Sequence, residues 1–328
     1  MSEIGLTKAR SMGPVADAVE HAGGSIANVF RRADLPLRLI DEPDRLIPLR
    51  DQLFLLECAA REIGDEALPA RLSSAAGVVG LGQFGEHVIA APVLREAIDR
   101  TNLLMGSMLQ SATRLELRRS GPWVEWTYAV MDSVETGRQK NEILALGYML
   151  DLVRRYAGPN WMPQRAGLAG SPPPGRRVVE DIFNCEIWQT NIAMLVLPAT
   201  LLDLRHCRPE EPMRVPEDVP PTIDFVACVA ELTRTSLLLD GRARIDWMAR
   251  RLGMSRRSMQ RRLDDCNTTF TVIHRSALEK EAYRLLGIRG LSVTAVAFEL
   301  GYSDLAHFTR AFIRWSGQTP ASWKSTVD

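Results

Sequence analysis

The last quarter of the 328-residue chain repeats itself, and that repeat constrains the fold more than any other feature. Ile245, Met248, Ala249 and Leu252 stand at i, i+3, i+4 and i+7, one face of a short helix, and Gly253 follows. Val293, Val296, Ala297 and Leu300 recur at the same spacing, again followed by a glycine, Gly301. A second helix is predicted after each glycine. Ser255 precedes Met259 and Leu263, as Asp304 precedes Phe308 and Phe312, with matching offsets. Both Ser and Asp suit an N-cap, because their side-chain oxygens accept the orphaned N–H groups of a first helical turn. The two caps stand one residue further apart than the two leading helices, so the second turn should be one residue longer. Between the units, Val272 to Ile288 carries Ile273, Ala277, Ala282, Leu285 and Leu286 with no Gly or Pro before Gly287, which suits a connecting helix. The pattern predicts an all-α C-terminal domain with tandem helix-turn-helix motifs over about 245–266 and 293–316.

A helix-turn-helix lays its second helix in the DNA major groove with the N-terminal residues of that helix at the base edges. The first such helix, from Ser255, offers Arg256, Arg257, Gln260, Arg261 and Arg262. With Met259 and Leu263 inward, Arg257 and Arg261 share one outward face and Gln260 lies alongside. Arg grips guanine bidentately and Gln grips adenine, so these residue types suit base readout. The second helix, from Asp304, is less basic: His307 and Arg310 are expected outward and Arg314 toward phosphate, with Asp304 at its start. Such arginines can also simply solvate a helix face, but a duplicated motif favours double-stranded DNA as the partner.

Net charge agrees. The whole chain balances 40 Lys plus Arg against 40 Asp plus Glu. Residues 241–328 hold 15 basic and 8 acidic side chains, a net of +7, leaving −7 on the rest. A basic end attached to an acidic remainder suggests that this end meets a polyanion. Arg208 to Thr222, with Pro209, Pro212, Pro216, Pro220 and Pro221, reads as an extended linker between residues 1–207 and 223–328.

At this point a resemblance becomes specific. Leu291-Ser292-Val293-Thr294-Ala295-Val296-Ala297-Phe298-Glu299-Leu300-Gly301-Tyr302-Ser303-Asp304, His307-Phe308-Thr309-Arg310-Ala311-Phe312, and Gly317-Gln318-Thr319-Pro320 with Trp323-Lys324 resemble the signature of AraC/XylS-family transcriptional regulators. The resemblance implies two helix-turn-helix subdomains reading successive major grooves, RNA polymerase as a further partner, and structural roles for Gly317, Thr319-Pro320 and Trp323.

The first two hundred residues mix both periods. Pro92 followed by Leu94, Ile98, Thr101, Met105 and Met108 predicts one helix, and Ile143, Leu146, Leu150, Val153 and Tyr156 predict another. Arg114–Arg118 and Val124–Val130 alternate around Ser120-Gly121-Pro122, a hairpin signal. Val178 to Trp188 and Ile192 to Leu197 are expected to be later strands, Leu81-Gly82-Gln83-Phe84-Gly85 a turn, and Ser171-Pro172-Pro173-Pro174-Gly175 an internal loop. An α+β domain follows. Leu53-Phe54-Leu55-Leu56-Glu57, Leu81–Gly85, Pro92–Ala97 and Trp161-Met162-Pro163 resemble the arabinose-binding-type (OruR-like) N-terminal domain of AraC relatives. That resemblance implies an effector-binding, dimerising role and a homodimer, with no named ligand. Trp123, Trp126, Tyr128 and Trp188 are candidates to line the effector site, although the same aromatics could fill the core. Arg118-Arg119 and Arg154-Arg155 could hold an anionic effector or stay solvated.

Other classes fit poorly. Five cysteines without a C-x-x-C pair, Cys58, Cys185, Cys207, Cys228 and Cys266, argue against a disulfide framework or zinc knuckle and for buried free thiols. No metal or cofactor is expected. A rival reading, a DNA-repair methyl acceptor or other enzyme fused to the same DNA-binding domain, needs an activated thiolate or a recognisable nucleophile turn, and neither is visible. The N-terminus lacks the apolar stretch of a signal peptide and no run approaches the ~20 apolar residues of a membrane span, so a cytoplasmic location is expected.

Overall fold

The computed structural model describes residues 5–132, 134–206, 224–240 and 244–325. They fall into two compact units, residues 5–44 with 48–206 and residues 45–47 with 224–325. The predicted linker, 208–222, lies outside the described residues.

The first unit is α+β. Helices α1 (Val15–His21), α2 (Ile26–Ala33), α3 (Leu49–Ile63), α4 (Leu68–Ala76), α5 (Gln83–Ile89) and α6 (Leu94–Leu104) precede a five-stranded sheet. Its strands are β1 (Thr113–Ser120), β2 (Trp123–Val130), β3 (Arg165–Ala169), β4 (Ile187–Thr190) and β5 (Ala193–Pro198), in spatial order β1-β2-β5-β3-β4. All neighbours are antiparallel except β3 and β4. The predicted hairpin is present: Ser120 pairs with Trp123 across Gly121-Pro122. Helix α7 (Arg138–Ala157) carries the predicted Ile143, Leu146, Leu150, Val153 and Tyr156, all buried. They pack toward inward residues of the sheet, Val124, Trp126, Ala166, Leu195 and Leu197.

Two expectations are corrected. The run from Val178 to Trp188 is not one strand: α8 (Arg176–Phe183) occupies its first part, and β4 begins only at Ile187. Val179 and Phe183, four apart, are buried while Val178 is exposed, which is a helical period, and Asn184 at φ 50° ends the helix in the left-handed region. Leu81–Gly85 is only partly a turn, because Gly82 starts α5 and Gln83–Gly85 lie within that helix.

The second unit is all helical. It comprises α9 (Phe225–Asp240), α10 (Ile245–Arg251), α11 (Arg256–Asp265), α12 (Phe270–Leu286), α13 (Val293–Glu299), α14 (Leu305–Ser316) and α15 (Pro320–Lys324). The internal repeat is real in space. Ile245, Met248, Ala249 and Leu252 are buried beneath Met259 and Leu263, and Val296, Ala297 and Leu300 are buried with Phe308 and Phe312. Gly253 and Gly301 both take left-handed φ, 65° and 75°, at the two tight turns. The first turn spans residues 252–255 and the second 300–304, one residue longer as predicted. Trp323 closes the second half, its ring 5.0 Å from Tyr283 and 6.5 Å from Phe312.

Candidate functional site

The candidate DNA-reading helices are held by their caps. Ser258 N donates to Ser255 Oγ at 3.1 Å at the start of α11, and His307 N donates to Asp304 Oδ1 at 2.7 Å at the start of α14. The backbone N–H of His307 holds the Asp304 carboxyl below its ordinary pKa, so Asp304 stays an anion that fixes the helix start.

On α11 the side chains divide by helical geometry. At about 100° per residue, Arg257 and Arg261 point most directly away from the Met259–Leu263 seam, while Arg256 and Arg262 flank it. Arg257, Gln260 and Arg261 are exposed, as their sequence positions predict. Arg256 reaches back to Asp246 on α10, Nη1 to Oδ2 3.4 Å, and Arg262 lies over the Phe225 ring of α9 at 4.1 Å. Of the five α11 candidates, Arg256, Arg257, Gln260 and Arg261 are exposed, and Arg262 is half-buried against the Phe225 ring. On α14, His307, Arg310 and Arg314 are exposed. The His307 ring meets Tyr302 edge-on at 5.8 Å, and His307 and Arg314 both border a crevice of about 670 Å³ along α12 with His274 and Arg275. Sequence reasoning did not select those two α12 residues. Their basic types, four and three residues before Leu278 on a helix already identified, were the available signal.

The aromatic quartet splits by strand parity. Trp126 and Tyr128 alternate inward on β2 and are buried, whereas Trp123 lies on the opposite face and is half-buried. Trp188 follows inward-facing Ile187 on β4 and is 46% exposed, with Arg165 stacked 4.9 Å from its ring. Trp126 and Tyr128 line a cavity of about 60 Å³ within the first unit. Its apolar wall includes Phe84, Met105, Leu144 and Met149. Met105 opens a single π-helical turn, Met105–Leu109, at the end of α6.

The polar wall is a connected chain. Ser11 Oγ lies 2.5 Å from Gln52 Oε1, and Gln52 Nε2 donates to Asn141 Oδ1 at 3.2 Å. Asn141 Nδ2 and Gln110 Nε2 each donate to the Tyr128 hydroxyl at 2.7 Å. Ser11, Gln52, Gln110 and Asn141 were not singled out from sequence, because they are scattered over 130 residues and only the fold gathers them. Tyr148 also lines the cavity, and burial pushes its hydroxyl pKa strongly upward. That hydroxyl is buried with no hydrogen-bond partner among the described residues. The arginine pairs lie elsewhere: Arg154 donates to the carbonyls of Trp161 and Phe183, Arg155 pairs with Asp151, and Arg118 with Glu116.

The model of the arabinose-binding domain of the AraC transcription regulator, N-terminal, matches residues 23–206, more than half of the chain. The chain belongs to the AraC family of transcription regulators. A helix-turn-helix domain model matches residues 248–326, over both motifs of this AraC-family regulator. The ornithine utilization regulator of Pseudomonas aeruginosa is 25% identical, over 94% of this chain and 93% of that one. The transcriptional regulator VqsM of the same organism is 35% identical over 78 residues, 24% of each chain. Among solved structures, the regulator CdpR of P. aeruginosa is 20% identical with a TM-score of 0.41, covering 91% of this chain and 96% of that one. An AraC-family regulator of this composition is a DNA-binding protein and not an enzyme. Among the described residues no helix is long and apolar enough to cross a membrane, and no group of three or more His, Cys, Asp or Glu is placed to hold a metal.

The thiols are unequally placed. Burial pushes the Cys185 thiol up to about 11 and the Cys228 thiol up to about 12. Cys266 departs from the expectation of burial and is exposed. Cys207 lies outside the described residues.

Proposed function

We propose that this AraC-family regulator is a one-component switch, in which a small molecule bound within residues 1–207 changes how residues 223–328 engage DNA. The observation that carries the DNA half is the outward triplet Arg257, Gln260 and Arg261 at the start of a helix capped by Ser255. Arg257 and Arg261 suit guanine and Gln260 suits adenine, so α11 reads bases. Arg310 reads fewer bases from α14, and Arg314 meets phosphate. The effector half is supported by the cavity beside Trp126 and Tyr128. We further propose a homodimer, a contact with RNA polymerase and a cytoplasmic location, in keeping with the family.

The deciding test is binding to the operator found by genome-wide occupancy, measured with Arg261→Ala. A loss of about 1 to 3 kcal/mol on the operator, with weaker discrimination at one base pair, is expected. Wild-type preference for operator over scrambled duplex in a folded Arg261→Ala protein overturns the assignment. Occupancy that stays constant across growth conditions overturns effector control.

A further inference from the structure

The walls of the cavity within the first unit say what it can accept. None of the side chains that line it carries a charge. Its polar groups are hydroxyls and carboxamides, and the chain Ser11–Gln52–Asn141–Tyr128–Gln110 already satisfies most of them internally. An ion entering such a site would lose its hydration without gaining a countercharge, a cost that neither amides nor hydroxyls repay. Phe84, Trp126 and Leu144 instead offer apolar contact. The Tyr148 hydroxyl is the one buried polar side-chain group of the cavity wall left without a partner among the described residues. It is itself closed off from the free space of the cavity.

Size sets a second limit. The cavity, at about 60 Å³, is smaller than the roughly 150 Å³ that receives benzene in an engineered apolar cavity. Met105 and Met149 are the adaptable part of its wall, since an unbranched thioether repacks at small cost.

We propose that this cavity takes a compact, uncharged molecule with an apolar body, and that it rejects amino acids, carboxylates and ammonium ions. The inference rests on the effector reading above and narrows it to a ligand class.

Saturation-transfer NMR on the full chain tests it with butyramide, butyrate and butylammonium, which share a shape and differ in charge. Butyramide should bind about tenfold more tightly than either ion. Ala145→Leu, which adds bulk to the cavity wall, should abolish that binding. Should either ion bind as tightly as butyramide and be displaced by Ala145→Leu, the ligand class is wrong but the effector site stands. No binding of butyramide, or binding that Ala145→Leu leaves intact, overturns the cavity as the site.

Discussion

The guanidinium of Arg262 lies 4.1 Å from the centroid of the Phe225 ring, so one arginine of the basic helix α11 is engaged with the protein itself. A partly buried cation over an aromatic face contributes about 0.5 to 2 kcal/mol, and the arginine stem adds packing. Arg262→Ala should therefore lower the stability of the C-terminal half by about 1 kcal/mol and leave the operator-to-scrambled binding ratio unchanged. Arg261→Ala should do the reverse, and chemical denaturation run beside DNA titration separates the two.

Arg314 and Arg310 are both exposed on α14, but they sit one turn apart. If Arg314 meets only phosphate, Arg314→Ala should weaken all duplexes alike and make the slope of log affinity against log salt shallower by about one unit. Arg310→Ala should weaken the operator more than a scrambled duplex. Equal salt slopes for wild type and Arg314→Ala would remove the phosphate contact.

Asn141 stands at the centre of the buried polar chain, accepting from Gln52 and donating to Tyr128. Asn141→Leu would leave the buried Gln52 Nε2 without its acceptor, at about 1 to 3 kcal/mol for an unsatisfied group, and would take one of two donors from the Tyr128 hydroxyl. Thermal unfolding should show a clear loss. A variant as stable as wild type would mean that the chain is not a structural element of the N-terminal half.

How much of this was legible in the sequence depends on the range of the forces involved. The tandem motifs were readable because each is local: the apolar spacing, the Gly253 and Gly301 turns and the Ser255 and Asp304 caps lie within about twenty residues of one another. Helix α9 was passed over although its signals were local: Asp224 Oδ1 accepts from Ala227 N at 2.7 Å as a cap, and Phe225, Cys228, Val229 and Leu232 stand at i, i+3, i+4 and i+7. Strand β3 escaped because Arg165–Ala169 is short and held by pairing to β5, which follows it by more than twenty residues. The aromatic quartet mixed two faces, although parity along β2 already separates Trp123 from Trp126 and Tyr128. The cavity was illegible, for Ser11, Gln52, Gln110 and Asn141 come from four elements whose meeting is a tertiary fact.

Thiol chemistry gives a further check. Cys266 is exposed, whereas Cys58 and Cys228 are buried and burial raises the pKa values of Cys58, Cys185 and Cys228. Brief treatment of folded protein with iodoacetamide at pH 7.5, followed by peptide mass spectrometry, should modify Cys266 well before those three. Early modification of Cys228 would contradict the packing of α9.

Glu142 provides the pH test. Burial on α7 raises its carboxyl above the ordinary 4.5, against the lowering effects of the Ala169 N–H, 3.3 Å from Oε2, and of the Arg138 charge. For an acid raised in the folded state, the unfolded chain releases its proton first. The contribution of Glu142 to stability is then fully present below about 4.5 and is lost as pH rises through the folded value. Glu142→Gln keeps an acceptor for Ala169 N and cannot ionise. Its stability relative to wild type should increase as pH is taken from about 4 toward 7, and level off once wild-type Glu142 is fully ionised. Urea unfolding of both proteins across that range measures the difference. A difference that shrinks with rising pH would mean that the carboxylate is stabilised in place, and that Arg138 outweighs burial.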